Sequence, residues 1–251
     1  MASTDPCVSS HRLRRFAVLK TGHGSDYTER AYGGYAQMIV WDIFSVIEGD
    51  FSFLEHGGDD YYDGYVITGS AADAHATDVD WINCLCDALV LHRQGKRLLG
   101  ICFGHQILAR ALGGKTGRAE VGWEVGVKSL QVDSEKVSHL YGLAFPSTVR
   151  AIESHQDQVT SRLNSSPGAV QLASSERTKV EMFAVGDHVL GMQCHPEFSE
   201  DVMIDLINSR ISRKIISDGV AKEALESFQT GQADQDLLIV LCKTFLKRCR
   251  E

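Results

Sequence analysis

The sequence predicts an α/β fold: a single domain with a central, mostly parallel sheet flanked by helices, to which hairpin strands are added. Three observations predict it. Up to Leu112, short apolar strands alternate with helical stretches, the pattern of a parallel sheet covered on both faces. After Gly113 the pattern changes to short strands separated by turn residues, which read as hairpins joined to that sheet. Finally, 251 residues with 43% hydrophobic and 23% charged side chains can bury a substantial core, and no repeat, low-complexity run or composition shift marks a second domain.

The elements follow in order. Residues 1–14 read as a disordered tail: they are Ser- and Arg-containing like a transit peptide but short, and they lack the apolar stretch of a secretory signal. The domain then spans 15–251. Arg15–Thr21, with Phe-Ala-Val-Leu inside it, is a buried strand, and Gly22-His23-Gly24 is a loop. A helix is expected over Tyr27–Met38, interrupted by Tyr32-Gly33-Gly34-Tyr35, and a second strand over Trp41–Ile47. The acidic, Gly-containing stretch Glu48–Asp60 reads as loop with room for one helical turn. Tyr65–Thr68 is a third strand ending in Gly69-Ser70-Ala71. Asp78–Gln94 places Trp81, Leu85, Ala88 and Leu89 at helical spacing and stops at Gly95. An apolar strand through Leu98-Leu99 follows, then a helix over about His105–Leu112. Val121–Val132 alternates as one or two strands, and Ser138–Phe145 is a short helix or loop. Val149–Glu153, Ala169–Ala173, Val180–Val185 and Val189–Cys194 are further strands, and a helical C-terminal extension from Ser199 is broken near Gly219 and Gly231.

Composition excludes some functions. A formal net charge of −8 argues against a nucleic-acid or anionic-membrane surface, and no apolar run approaches the roughly 20 residues of a membrane span. Seven cysteines, at positions 7, 84, 86, 102, 194, 242 and 249, form no even framework, and Cys84-Leu85-Cys86 is not a zinc spacing. Reduced thiols, a cytosolic location, no metal and no cofactor are expected.

Two motifs carry chemistry. Gly100-Ile101-Cys102-Phe103-Gly104 joins a strand to a helix in the manner of a nucleophile elbow. The glycines permit the tight turn, and the helix N-terminus behind it favours thiolate over thiol. A buried cysteine packing as a small hydrophobe is the plain alternative. Far downstream, His195-Pro196-Glu197 ends an apolar strand. Residues two apart on an extended chain share a side, and Pro196 disfavours helix at His195, so Glu197 can set the His195 tautomer and leave the other ring nitrogen for a thiol. A turn with a surface carboxylate is the plain alternative. Together the motifs make a nucleophile, a base and an orienting acid.

On these motifs the chain resembles the class I (triad) glutamine amidotransferases, marked by the Gly-x-Cys-x-Gly elbow with Gln106 shortly after it and by a late His-Pro-Glu. The resemblance extends to Gly64–Ser70, Gly113-Gly114-Lys115, Gly122–Gly126, Ser154-His155-Gln156-Asp157, Val180-Glu181-Met182-Phe183 and Gly186-Asp187-His188. Ser154-His155-Gln156-Asp157 and Val180-Glu181-Met182-Phe183 with Gly186-Asp187-His188, together with Tyr32-Gly33-Gly34-Tyr35, are most similar to plant γ-glutamyl peptidases that trim glutathione conjugates. The resemblance implies a flavodoxin-like sheet and a catalytic triad of Cys102, His195 and Glu197. It implies oxyanion donors at the N–H groups of Gly69 and Phe103. It also implies a substrate contact from Gln106, with Ser70, Trp123 and Glu124 near the substrate. Gln106 could instead satisfy a helix terminus, Trp123 could be core packing, and His155 reads as structural first. This chain has Gly69-Ser70-Ala71-Ala72 where the family commonly has a proline after the glycine, which implies a less rigid loop.

The expected reaction is hydrolysis of the γ-glutamyl bond of glutathione or an S-conjugate through a thioester, with a small-molecule substrate and neither nucleic acid nor membrane. Two alternatives stand beside it. One is a glutaminase subunit feeding ammonia to a separate synthase; the other is a non-catalytic binding protein on the same fold.

Overall fold

The computed structural model describes residues 15–23, 42–55, 61–89, 95–161 and 167–247. The expected N-terminal tail, the helix over 27–38 and its Tyr32–Tyr35 segment lie outside the described residues.

Eleven strands and six α-helices follow one another in the described residues. They are β1 (Phe16–Lys20), β2 (Asp42–Ser45), β3 (Gly64–Ile67), α1 (Asp80–Ala88), β4 (Arg97–Ile101), α2 (Phe103–Ala111), β5 (Thr116–Arg118), β6 (Glu124–Val132), α3 (Ser134–Tyr141), β7 (Thr148–His155), β8 (Asp157–Val159), β9 (Ala169–Ser174), β10 (Met182–Val185), β11 (Val189–Met192), α4 (Glu200–Ser212), α5 (Asp218–Gln229) and α6 (Gln235–Lys247). Nine strands form one sheet in the order β2-β1-β3-β4-β11-β10-β9-β6-β7, and β5 pairs with β8 apart from it. The half from β2 to β11 is parallel, and β10, β9, β6 and β7 extend it antiparallel. This is the α/β architecture with added hairpins that the residue pattern predicts.

The parallel strands are covered on both faces, so they read as unbroken apolar runs. All five residues of β4 are buried. On one face α1 and α2 bring Ile82, Leu85, Ile107 and Leu108 onto Leu19, Ile67 and Leu98. On the other, α3 and α6 bring Val137, Tyr141, Leu238, Leu241 and Phe245 onto Leu99, Leu190 and Met192. A third cluster packs α4 and α5 on Val125, Val127 and Ile152 of the antiparallel extension. Each fully buried Leu, Ile or Phe contributes roughly 1.5–3 kcal/mol.

Several boundaries differ from the sequence reading, each for a local reason. Asp133 accepts a hydrogen bond from the Lys136 N–H, so α3 starts at Ser134, ahead of the expected Ser138. Ser217 caps α5 in the same way, so Gly219 lies inside that helix and the break falls before it, where Lys214 takes φ 55°. β8 and β5 are too short to show a period.

Consecutive neighbours β3, β4 and β11 all end at the same edge. Met192 sits opposite Ile101, and Ile67 opposite Gly100. The residues just past these three ends therefore meet.

Candidate active site

Cys102 is the residue immediately after β4 and the N-cap of α2. The helix begins at Phe103, two residues earlier than the expected His105, because Cys102 itself makes the turn. Its φ of 52° and ψ of −104° are strained for a residue with a Cβ, at a cost of about 1–3 kcal/mol. The surroundings hold it there: its N–H donates to Met192 O at 2.8 Å, and its carbonyl accepts from Gln106 N at 3.1 Å. At Gly104 a Cβ would fall 2.2 Å from Ile67 O, so only glycine lets the elbow lie against β3. The Phe103 N–H, in the open first turn, has no acceptor among the described residues.

The loop after β3 is fastened to that elbow. Thr68 O accepts from Gly104 N at 3.2 Å and from the Thr21 hydroxyl at 2.9 Å, and the same hydroxyl donates to Gly69 O at 3.0 Å. Across the trans peptide the Gly69 N–H points away from these contacts, and it too has no acceptor among the described residues. Ser70 Oγ accepts the Ala72 N–H at 3.1 Å. These bonds do the work of the missing proline, and the loop is anchored where the resemblance implied looseness. A Cβ at Gly69 would lie 3.0 Å from His195 Cε1 and 3.6 Å from Cys102 Cβ, so the glycine is wedged between the two.

His195 reaches the site by a turn, which corrects the extended geometry expected for it. β11 ends at Met192, the chain bends, and His195 O accepts the Phe198 N–H at 3.3 Å. The turn folds Glu197 back, so its Oε1 accepts from His195 Nδ1 at 2.8 Å. The imidazole stacks on the Phe198 ring with centroids 4.1 Å apart and planes 5° apart. The main-chain N–H of His195 donates to Ile152 O at 2.9 Å, and its main-chain carbonyl accepts from Gln235 Nε2 at 2.8 Å. Burial opposes charge on this ring, yet the Glu197 carboxylate and the Cys102 sulfur together outweigh it and raise its pKa to about 10. With Nδ1 engaged by Glu197, Nε2 is the nitrogen left for the thiol. The imidazolium is therefore the resting form of this histidine at neutral pH.

The structure thus brings Cys102, His195, Glu197, Gly69 and Phe103 together. The other expected contacts have partners of their own. Gln106 is buried, and its Nε2 donates to Asp157 O at 2.7 Å and to Gln193 Oε1 at 3.0 Å. Ser70 supports its own loop. Trp123 lies under the Arg210 guanidinium, 4.7 Å from its ring centroid. Glu124 is buried and accepts from Thr178 Oγ1 at 3.0 Å, with His155 beside it. Cys194, next to the histidine, is buried in the core cluster that also holds Cys102 and Cys242, and burial pushes its thiol well up. Among the described residues, one further group has the spacing of metal ligands at this end: Asp73, His75 and Asp157.

Sequence reasoning missed Thr21, Phe198, Gln193 and Gln235. Thr21 had one usable signal, its place directly after β1 at the ligand-bearing edge of the sheet. Gln235 had none, since it comes from a helix forty residues past the histidine.

Comparison with known proteins places the chain. Residues 47–208 match the family described as Glutamine amidotransferase class-I. The chain is 38% identical to Gamma-glutamyl peptidase 3 of Arabidopsis thaliana, over 96% of this chain and 99% of that one. It is 37% identical to Gamma-glutamyl peptidase 5 of the same plant, over 93% and 96%. Among solved structures it is similar to a glutamine amidotransferase from Thermotoga maritima, with a TM-score of 0.68 at 20% identity, covering 95% of this chain and all of that one.

Proposed function

We propose, from the premise that this chain belongs to the class I glutamine amidotransferase family and is a hydrolase, that it cleaves the γ-glutamyl bond of glutathione or glutathione S-conjugates. One observation supports the reading most: a strained Cys102 beside a charged, oriented His195, with two unclaimed N–H groups alongside.

In this mechanism the Cys102 thiolate attacks the γ-carbonyl carbon, and the carbonyl oxygen takes up negative charge facing the Gly69 and Phe103 N–H groups. As the tetrahedral intermediate collapses, the C–N bond breaks and His195 passes its Nε2 proton to the departing amine of the cysteinyl residue. The glutamyl group remains as a thioester on Cys102. His195, now neutral, takes a proton from water as that water attacks the thioester, and glutamate leaves with the thiolate–imidazolium pair restored. Glu197 holds the ring and stabilises its charge throughout.

The relatives named as γ-glutamyl peptidases support a leaving group larger than ammonia. Steady-state assays of the purified chain without any partner test this. Free glutamate and a cysteinylglycine product from glutathione or an S-conjugate are expected. Turnover of glutamine far above every γ-glutamyl thiol peptide would replace this reading with that of an ammonia-supplying glutaminase subunit.

A further inference from the structure

Behind the triad the main chain converges on a pocket of buried charge that the mechanism does not use. Glu153 and His155 stand two apart on β7 and share a face of the sheet. Glu181 enters from the residue before β10, and one ligand atom from each of the three lies within 4.8 Å of the others. Glu153 and Glu181 are 0% exposed and His155 is 4% exposed. Glu124 borders the group, its Oε2 3.7 Å from His155 Nε2.

The tautomer of His155 is readable. Its Nδ1 lies 3.0 Å from Asp157 O, and a carbonyl only accepts, so Nδ1 carries a proton. That leaves Nε2 facing the carboxylates, 3.3 Å from Glu153 Oε2. A backbone carbonyl behind the ring and a free nitrogen in front is how proteins orient a metal-binding histidine. Neither oxygen of Glu153, neither oxygen of Glu181 nor His155 Nε2 completes a hydrogen bond among the described residues. Buried polar atoms that complete no hydrogen bond are expensive unless something satisfies them.

The group gathers the buried carboxylates of Glu153, Glu181 and Glu124 around one buried imidazole. A cation uses the unpartnered atoms as ligands.

We propose that Glu153, His155 and Glu181, with Glu124 at their edge, bind one divalent metal ion, zinc by the match of imidazole and carboxylate donors. The three donors are buried and present no exposed position, so the site is closed to solvent and its role is structural rather than catalytic. The ion ties β7 to the β10 entry, and both hold the histidine loop: Ile152 O takes the His195 N–H at 2.9 Å, and Glu181 O takes the Gln193 N–H at 2.8 Å. The proposal does not depend on which γ-glutamyl compound is cleaved. The other candidate group, Asp73, His75 and Asp157, is half-exposed, and Arg118 already meets both aspartates at 3.1 and 3.0 Å.

The test uses the full chain carrying Cys102→Ala, so that the nucleophile cannot capture metal. After EDTA stripping, zinc sulfate is added; one portion is desalted and its retained zinc measured, and the melting temperature of a second portion is measured with the free zinc still present. The expected result is about one zinc per chain and a melting temperature raised by about 5–10 °C at a hundredfold excess of free zinc over Kd. Adding Glu153→Gln with Glu181→Gln should abolish both, while adding Asp73→Asn with His75→Gln should leave both. The proposal is overturned if the parent retains no zinc and its melting temperature does not move, a result that stands even where the double variants fail to fold. It is equally overturned if the Glu153/Glu181 variant retains zinc at the parent level. An infrared carboxylic-acid carbonyl band in zinc-treated protein that disappears with Glu153→Gln would show protons in the place of the ion.

Discussion

Replacing Gly69 with alanine tests whether the wedge between Cys102 and His195 is a condition of catalysis. The new methyl carbon would sit 3.0 Å from His195 Cε1, against an optimal carbon–carbon separation of about 3.5–4.0 Å. Relief therefore requires a displacement of roughly 0.5 Å. The ring is poorly placed to supply it, with Phe198 stacked on it at 4.1 Å, Glu197 fixed to Nδ1 at 2.8 Å and the main chain held at both N–H and carbonyl. A misplacement of about 1 Å costs on the order of a hundredfold in rate, so half of that costs about tenfold, or about 1.4 kcal/mol of activation free energy. Because the methyl meets reacting groups and not the core, stability should fall by only about 1 kcal/mol, a shift of about 2–4 °C. Steady-state hydrolysis of a γ-glutamyl substrate, beside a melting curve, is the assay. A kcat lowered about tenfold with KM changed less than about twofold is expected. A Gly69→Ala enzyme that keeps more than half the wild-type kcat would refute the argument from packing.

The remaining expectations concern the triad, its charge and the thiols. Cys102→Ser and His195→Ala should each lose nearly all turnover with the fold intact, and Glu197→Gln should fall between these variants and wild type, lowered by about 10–100-fold, as measured by kcat; a His195→Ala enzyme at most of the wild-type rate would assign the base elsewhere. The folded-state pKa of His195 is raised from 6.5 to about 10, so its charge stabilises the fold fully below about pH 6.5 and that contribution is lost as pH rises through 10. The stability difference between wild type and His195→Gln in urea melts should therefore shrink between about pH 6.5 and 10, the window of that shift, and a gap that widens there would contradict it. Limiting iodoacetamide should label Cys102 first, because burial raises Cys86, Cys194 and Cys242, the last to about 12; peptide mapping that finds Cys194 or Cys242 modified with Cys102 intact would refute the elbow.

The readable part of this protein was the part written in local patterns. Unbroken apolar runs announce parallel strands because both faces are buried, and β1, β3 and β4 stand where those runs are. The elbow and the His-Pro-Glu are short motifs because the chemistry needs each group at a strand end, and a strand end is itself local. That Cys102, the His195–Glu197 pair and the Gly69 and Phe103 N–H groups meet at one edge was legible for that reason. What the residues do with their spare hydrogen bonds was not legible, because those partners are distant in the chain. Gln106 looked free for substrate until Asp157 O and Gln193 Oε1 took its amide, and Glu124 looked like a site wall until β6 paired Glu124 with His155 of β7. The loop after Gly69 lacked a stiffening proline, yet the hydroxyl of Thr21, just past the end of β1, stiffens it. Pro196 and Glu197 suggested an extended pair, and the bond from Phe198 N–H to His195 O made a turn that delivers the same contact by another path. Periodicity and short motifs determine which elements form and which atoms can react. Strand order alone decides which buried polar groups become neighbours, since desolvated donors and acceptors pair with whatever the topology sets beside them.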